Sequence, residues 1–136
     1  MNGGAVLEGG CLCGAVRYRV EGAPFDAEYC HCRMCQRLTG AAAANWMDFR
    51  RERVTFSAGE VREYASSEHV RRGFCAQCGS ALSFRDTRYP QYYTLTIASL
   101  DQPNAVRPTR HLFTDSRLEW FDPNDDCPRF PRGPGR

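Results

Sequence analysis

The stretch Cys30-His31-Cys32-Arg33-Met34-Cys35 decides the organisation of this chain, because it places three thiols within six residues. A further cysteine pair lies on each side of it, Cys11 and Cys13 upstream and Cys75 and Cys78 downstream. Together the three groups hold seven of the eight cysteines of the chain. Clusters with such short spacing are typical of metal sites, with disulfides or thiol chemistry as the alternatives.

The length of 136 residues predicts one domain with its own hydrophobic core. The N-terminus has no basic start and no apolar run typical of a signal peptide, and no stretch is apolar enough to span a membrane. We therefore expect a cytoplasmic protein without a membrane partner, in which reduced thiols bind metal rather than form disulfides. The 18 basic residues, all arginine, are interspersed with 16 acidic ones, a pattern that does not indicate nucleic-acid binding.

Short segments of alternating polar and apolar residues, separated by turn residues, predict a mainly β protein. The predicted strands cover residues 15–20, 28–32, 41–47, 53–57, 61–64, 69–74, 81–84 and 92–97, and a last hairpin is expected at 109–114 and 118–121. One short helix is predicted from Arg33 to Thr39, ended by Gly40. We expect residues 1–7 to be a lead-in, residues 8–127 to form the domain, and the proline- and glycine-rich residues 128–136 to be a disordered tail.

The two flanking pairs, Cys11/Cys13 and Cys75/Cys78, share a glycine directly after the second thiol. Such a glycine lets the backbone curl so that amide groups face the sulfur and ease its charge. Structural zinc prefers a closed tetrahedron of four ligands, commonly four thiolates. The pattern therefore predicts one structural zinc bound by these four cysteines.

The central group has a different spacing. Cys32 and Cys35 are three residues apart at the start of the predicted helix, so their sulfurs share one face, and a helix N-terminus favours thiolate. Cys30, two residues earlier on an extended segment, can point to the same side as Cys32. Three protein ligands and a free fourth position are the arrangement of a catalytic zinc. We therefore predict a second zinc on Cys30, Cys32 and Cys35, and two zinc ions per chain.

Two alternatives for the central group remain open on this spacing. It can be a second structural site in which an acid or a histidine is the fourth ligand, with His31, His69 and His111 as the histidine candidates. It can also be a metal-free redox pair, because Cys32 and Cys35 form a Cys-x-x-Cys motif.

These motifs resemble the glutathione-dependent formaldehyde-activating enzymes, a family grouped with centromere protein V. The resemblance extends over roughly residues 8–130 and is carried by residues 10–18, 30–36 and 74–80, then by Arg107-Pro108, His111-Leu112, Trp120 and residues 126–130. It implies a β-tent fold of twisted antiparallel sheets with a zinc-ribbon-like structural site and a catalytic zinc on the central thiols. Gln36 departs from the family pattern, where arginine is usual, and Cys127 stands where leucine is common, so we expect it to bind no metal.

The resemblance also implies the family's founding reaction, which adds glutathione to formaldehyde and is classed as carbon–sulfur lyase chemistry. Together with the open thiol group, it predicts a zinc-dependent enzyme that acts on a small thiol, glutathione or a similar one, and on an aldehyde or its thiol adduct. The alternative functions are a non-catalytic zinc module that binds a protein partner and a thiol redox switch. A homodimer is compatible with the sequence.

The remaining candidates are side chains that could line the substrate site. Arg33 and Arg37 could pair with the carboxylates of glutathione, with an ordinary solvated helix face as the alternative. His111 could bind substrate or act as an acid or base, with a structural histidine as the alternative. We expect Trp46 and Trp120 to pack in the core or at its rim, with a role as substrate platforms as the alternative.

Overall fold

The structure, a computed structural model, describes residues 5–134 and confirms a mainly β protein with one short α-helix. In chain order its elements are β1 Val6–Gly10, β2 Arg17–Glu21, β3 Asp26–Cys30, α1 Arg33–Thr39, β4 Ala44–Arg50, β5 Val54–Ala58, β6 Arg62–Ala65, β7 Val70–Phe74, β8 Ala81–Asp86, β9 Tyr92–Thr96 and β10 Arg110–Leu112. Short 3-10 helices lie at Arg51–Arg53, Ile97–Ser99, Pro103–Ala105 and Thr114–Ser116. Within the described part of the chain, no helix has the length and apolar character needed to cross a membrane. The outer parts of the predicted lead-in and tail, residues 1–4 and 135–136, lie outside the described residues.

The strands form two sheets. The small sheet has the order β1-β2-β5, and the large one has the order β10-β3-β4-β9-β8-β7-β6. The described pairs are antiparallel except β10 with β3, which is parallel. The expected final hairpin is therefore wrong, since residues 118–121 form a turn. A hairpin does not form because residues 97–109 carry the chain across the sheet to the free edge of β3, where β10 pairs with a strand distant in sequence.

The main core lies between the two sheets. Successive strand residues point to opposite faces, so one face of each sheet is apolar and meets the other. The fully or nearly fully buried members are Tyr18, Val20, Ala27, Met47, Phe49, Val54, Tyr93, Leu95, Ile97 and Leu100. The opposite face of the large sheet carries Cys30 and Trp46, with α1 packed against it, and so positions the central thiols.

Gly9 of β1 lies where the core leaves no room for a side chain. A Cβ atom there would overlap Tyr18 Oη and the backbone carbonyl of Ser99. Tyr18 is fully buried and its hydroxyl is hydrogen-bonded to Ser99 Oγ at 2.7 Å, so neither neighbour can move freely. We expect Gly9→Ala to lower the free energy of unfolding by about 2 kcal/mol, the usual cost of overpacking a core.

Urea denaturation of the metal-loaded protein measures this loss. Gly133→Ala is the matched control, because a Cβ at Gly133 would meet only Phe113 Cζ at an ordinary 3.7 Å. Equal stability of the two variants would contradict the overpacking argument.

Both ends of the described chain belong to the fold, which corrects the predicted boundaries. β1 begins at Val6, inside the predicted lead-in. Residues 128–132 bind the β10 segment, where His111 donates its N–H to the Pro128 carbonyl at 2.9 Å and accepts from the Phe130 N–H at 2.8 Å. The composition suggested disorder because proline lacks an N–H, but its carbonyl still accepts a hydrogen bond from a neighbouring segment.

Candidate metal centre

The two flanking cysteine pairs meet in space although Cys13 and Cys75 are 62 residues apart. Cys13 Sγ lies 3.7 Å from Cys75 Sγ and 3.6 Å from Cys11 Sγ, and all four sulfurs lie within 4.8 Å of one another. A zinc–sulfur tetrahedron with bonds of about 2.3 Å has edges of about 3.8 Å. The sulfur positions therefore fit one tetrahedral metal ion. We call Cys11, Cys13, Cys75 and Cys78 the four-cysteine group.

Each pair of the four-cysteine group stands on a hairpin turn, one between β1 and β2 and the other between β7 and β8. Gly14 and Gly79 follow the second thiol of each turn and have φ angles of 83° and 81°. These values lie in the left-handed region that glycine adopts without strain. The turn geometry predicted from the two Cys-Gly steps is therefore present.

Hydrogen-bond donors surround the sulfurs of the four-cysteine group. Cys11 Sγ accepts from the Val16 N–H at 3.2 Å, and Cys75 Sγ accepts from the Cys78 N–H at 3.5 Å. Hydrogen bonds from the hydroxyl and then the N–H of Ser80 lower the pKa of Cys78 to about 5. Donors aimed at sulfur favour the ionised thiolate, which is the form that binds metal.

The central thiols form a separate group of three, which we call the three-cysteine group: Cys30, Cys32 and Cys35. Their sulfurs lie within 4.8 Å of one another, and among residues 5–134 no further His, Cys, Asp or Glu joins them within that distance. Cys30 ends β3, and Cys32 caps α1 by accepting from the Cys35 N–H at 3.4 Å. Cys30 and Cys35 are buried whereas Cys32 is only half-buried, so the group opens on the side of Cys32.

The pKa values of the three thiols are shifted in different directions. Hydrogen bonds from the thiols of Cys30 and Cys35 lower the pKa of Cys32, and the positive charge of Arg72 adds to this effect. The same contacts with Cys32 and Cys35, together with burial, raise the pKa of Cys30. A cation at the centre would relieve this competition, because all three sulfurs could then ionise.

The histidine candidates have other partners than the central sulfurs. His31 is fully buried with its Nε2 2.9 Å from His111 Nδ1. His111 stacks on Tyr29, with ring centroids 4.8 Å apart, and its Nε2 lies 3.1 Å from Asp125. Since Tyr29 and Cys30 are adjacent on β3, the His111 ring lies on the face opposite Cys30. His69 contacts Glu68 at 3.6 Å. A structural role for His111 is therefore favoured over substrate binding.

A third group, His111, Asp125 and Cys127, also has its ligand atoms within 4.8 Å. Arg129 donates to Asp125 Oδ1 at 2.6 Å, and the Cys127 N–H donates to the same oxygen at 3.0 Å. The Arg129 guanidinium, followed by His111, holds the pKa of Asp125 well below its usual range. Because this carboxylate already has a cation, we keep the expectation that Cys127 binds no metal.

Residues 6–116 match the family described as glutathione-dependent formaldehyde-activating enzyme. The chain belongs to this family. A protein of Halomonas elongata, provisionally named a glutathione-dependent formaldehyde-activating enzyme, is 29% identical over 126 residues, which cover 86% of this chain and 80% of that protein. A crystal structure of a Rhodobacter sphaeroides protein, 24% identical, has a TM-score of 0.58 and covers 90% of this chain and 98% of its own, and it shows the fold alone. Family membership implies an enzyme that acts with glutathione and formaldehyde.

Gln36 of α1 holds the segment that carries the three-cysteine group in place. Its buried Nε2 donates to the carbonyls of His31 at 2.9 Å, Ala42 at 3.2 Å and Ser116 at 3.2 Å. Its Oε1 accepts from Arg33 Nη1 at 2.7 Å. One amide therefore joins the thiol segment, α1 and the segment after β10. Sequence reasoning missed this role because the contact with Ser116 spans 80 residues of the chain.

We expect Gln36→Leu to lower the free energy of unfolding by about 2 kcal/mol, because it leaves carbonyls without a donor. Arg37→Leu, at the exposed next position of α1, is the control and should change stability by less than about 0.5 kcal/mol. Urea denaturation at equal metal loading compares the two variants, and similar losses would contradict the role assigned to Gln36.

The remaining candidates differ in exposure. Arg33 and Arg37 are exposed on α1, and their contact with substrate stays a prediction. Trp46 is 4% exposed and packs in one cluster with Cys30 and Cys35, which confirms its packing role. Trp120 is 76% exposed, which excludes a place in the core, and its ring lies 6.5 Å from that of Phe121, so packing at the rim stays a prediction.

Sequence reasoning also missed a buried charged cluster on the sheet face that carries Cys30. Arg110 Nη2 donates to Glu28 Oε1 at 2.9 Å, and Thr94 donates to Asp48 Oδ1 at 2.6 Å. Burial, and then the neighbouring Asp48 carboxylate, raises the pKa of Glu28 to about 8. This cluster attaches β10 to β3, the strand that ends at Cys30. Its only signal in the sequence is acidic residues within strand-like segments.

Proposed function

We propose that this protein is a zinc-dependent enzyme of the carbon–sulfur lyase type, acting on a small thiol such as glutathione and on an aldehyde or its thiol adduct. The observation that carries the proposal is the division of the sulfurs into a group of four and a group of three. Four thiolates close a structural site, whereas three leave a position for substrate. Family membership supports the choice of thiol and aldehyde.

The choice of zinc rests on the donor sets. Groups of three and four thiolates suit zinc better than they suit hard cations such as Mg²⁺ or Ca²⁺. The spacing of the sulfurs in the four-cysteine group matches a tetrahedral ion of that size. We therefore propose one zinc per group, with a structural role for the first and a catalytic role for the second.

A zinc ion held by Cys30, Cys32 and Cys35 would keep a substrate thiol ionised and fixed at its fourth position. The protein itself sets the direction of approach. Cys30 and Cys35 are buried beside Trp46 and Ala44, whereas Cys32 is half-buried. The substrate sulfur would therefore arrive from the side of Cys32, and the packed side would keep water away from the other two sulfurs.

X-ray absorption at the zinc edge tests whether the thiol binds there. Spectra of the reduced, zinc-loaded protein are compared without ligand, with glutathione and with S-methylglutathione, which has no free thiol. We expect glutathione alone to raise the mean number of sulfur neighbours per zinc. Identical spectra in all three samples, or an absence of zinc from the three-cysteine group, would overturn the proposal.

Exchange between free and thiol-bound ¹³C-formaldehyde, followed by NMR in the presence of glutathione, tests the reaction. We expect the wild-type protein to accelerate this exchange. A zinc-loaded protein without acceleration would point instead to the non-catalytic zinc module. Reversible formation of a Cys32–Cys35 disulfide with release of metal would point to the redox switch.

A further inference from the structure

Arg72 of β7 is a buried cation. Its side chain is 6% exposed. Among the ion pairs of residues 5–134, none includes Arg72. Burying a charge is costly unless an opposite charge or strong hydrogen bonds compensate for it. The charge of the guanidinium therefore has to be compensated by groups other than a paired carboxylate.

The contacts of Arg72 lead to the three-cysteine group. Nη1 donates to Cys35 Sγ at 3.7 Å, and Nη2 lies 3.9 Å from Met34 Sδ. The guanidinium carbon lies 5.3 Å from the centre of the Phe84 ring, and Nε donates to Ser66 Oγ at 3.0 Å. Phe84 pairs with Arg72 across β7 and β8 and belongs to the cluster around the central thiols. The planar group is thus held with one edge directed at sulfur.

The charge balance of the site explains this placement. Three thiolates around a divalent ion carry one net negative charge, and a thiolate as fourth ligand adds a second. Such a charge in a partly buried site is unfavourable unless a nearby cation offsets it. Cys35, the sulfur that faces Arg72, is itself buried, so solvent screens this interaction only weakly.

We propose that Arg72 is a positioning residue that favours an anionic sulfur over a neutral ligand at the fourth position of the metal in the three-cysteine group. The inference rests on the proposed function, since it assumes that a thiol binds at this position. The inference adds a physical reason for the choice of ligand: the positive charge of Arg72 offsets the negative charge that a thiolate brings to the fourth position of the metal. Arg72 acts through Cys35 and the charge of the site, and no contact between Arg72 and substrate is required.

Cobalt substitution gives a test that does not depend on turnover. The reduced protein is loaded with Co²⁺, and its visible and charge-transfer bands are titrated separately with 2-mercaptoethanol and with imidazole. The thiol brings an anionic sulfur, whereas imidazole binds as a neutral ligand. We expect Arg72→Met to weaken thiol binding by on the order of tenfold or more and to leave imidazole binding unchanged or tighter.

Two further variants control for size and charge. Arg72→Lys keeps the charge but not the planar fork, so we expect it to recover part of the thiol affinity. Arg71→Met removes an arginine from the next residue of β7, which points to the opposite face, and should bind both ligands like the wild-type protein. If Arg72→Met fails to fold, Arg72→Gln in the same titrations replaces it, and the Co²⁺ bands of the four-cysteine group report folding.

The outcomes separate this inference from the proposed function. Equal thiol affinity in wild type and Arg72→Met, or equal weakening of thiol and imidazole, would overturn the role of Arg72. If 2-mercaptoethanol shows the expected pattern but glutathione does not accelerate formaldehyde exchange, the proposed reaction fails and the role of Arg72 stands. If no thiol alters the cobalt bands of the wild-type protein, both fail.

Discussion

Replacing Cys75 by serine is expected to unfold the protein rather than only remove its activity. Cys75 is 1% exposed, and its sulfur belongs to the group that joins the β1–β2 turn to the β7–β8 turn. Structural zinc contributes about 10 kcal/mol or more in small zinc-dependent folds, whereas a whole domain is stable by only about 5–15 kcal/mol. Loss of this ion should therefore leave the chain unfolded at room temperature. Circular dichroism on heating should then show no cooperative unfolding transition.

Two variants separate loss of metal from loss of packing. Cys13 is exposed, so Cys13→Ser removes a ligand at little packing cost and should still strongly destabilise the protein. Cys127→Ser is the control, since Cys127 lies outside both thiol groups and should change stability by less than about 0.5 kcal/mol. If the Cys13→Ser or Cys75→Ser variant melts like wild type, the four-cysteine group is not a structural metal site.

Replacing Cys32 by serine is expected to remove the activity of the protein but to preserve its fold. The half-buried Cys32 belongs to the three-cysteine group, which shares no ligand with the group that joins the two hairpin turns, so we expect the fold to persist. One metal ion per chain should be lost, and formaldehyde exchange should fall by at least about a hundredfold, since even outer-shell changes at metal sites cost about 10–100-fold. Metal analysis by mass spectrometry and NMR exchange measure the two effects.

The comparison of Cys32→Ser with Cys13→Ser tests directly whether the three-cysteine group is catalytic and the four-cysteine group structural. Cys32→Ser should lose one ion and its activity while it stays folded, whereas Cys13→Ser should lose the ion of the four-cysteine group together with its stability. If both variants retain both ions, the assignment of ligands is wrong. If both lose stability equally, the three-cysteine group is a second structural site.

Local signals predicted the parts of the fold that depend on neighbouring residues. The helix spans Arg33–Thr39 as expected and ends at Gly40, whose φ of 71° is the left-handed conformation of a helix C-cap. Most predicted strands lie within a few residues of the observed ones because a strand's alternation is also local. The parallel pairing of β10 and the attachment of residues 128–132 escaped prediction because both depend on partners far away in the chain.

By itself, the sequence determined how the sulfurs divide into two groups, because short spacings and the glycines after Cys13 and Cys78 act within a few residues of backbone. Only the tertiary structure decided what surrounds them. Strand order brings Arg72 beside Cys35, and the pairing of β10 with β3 directs His111 toward His31 and Asp125 instead of the central thiols. Such neighbours follow from the register of strands distant in sequence, which no local pattern specifies.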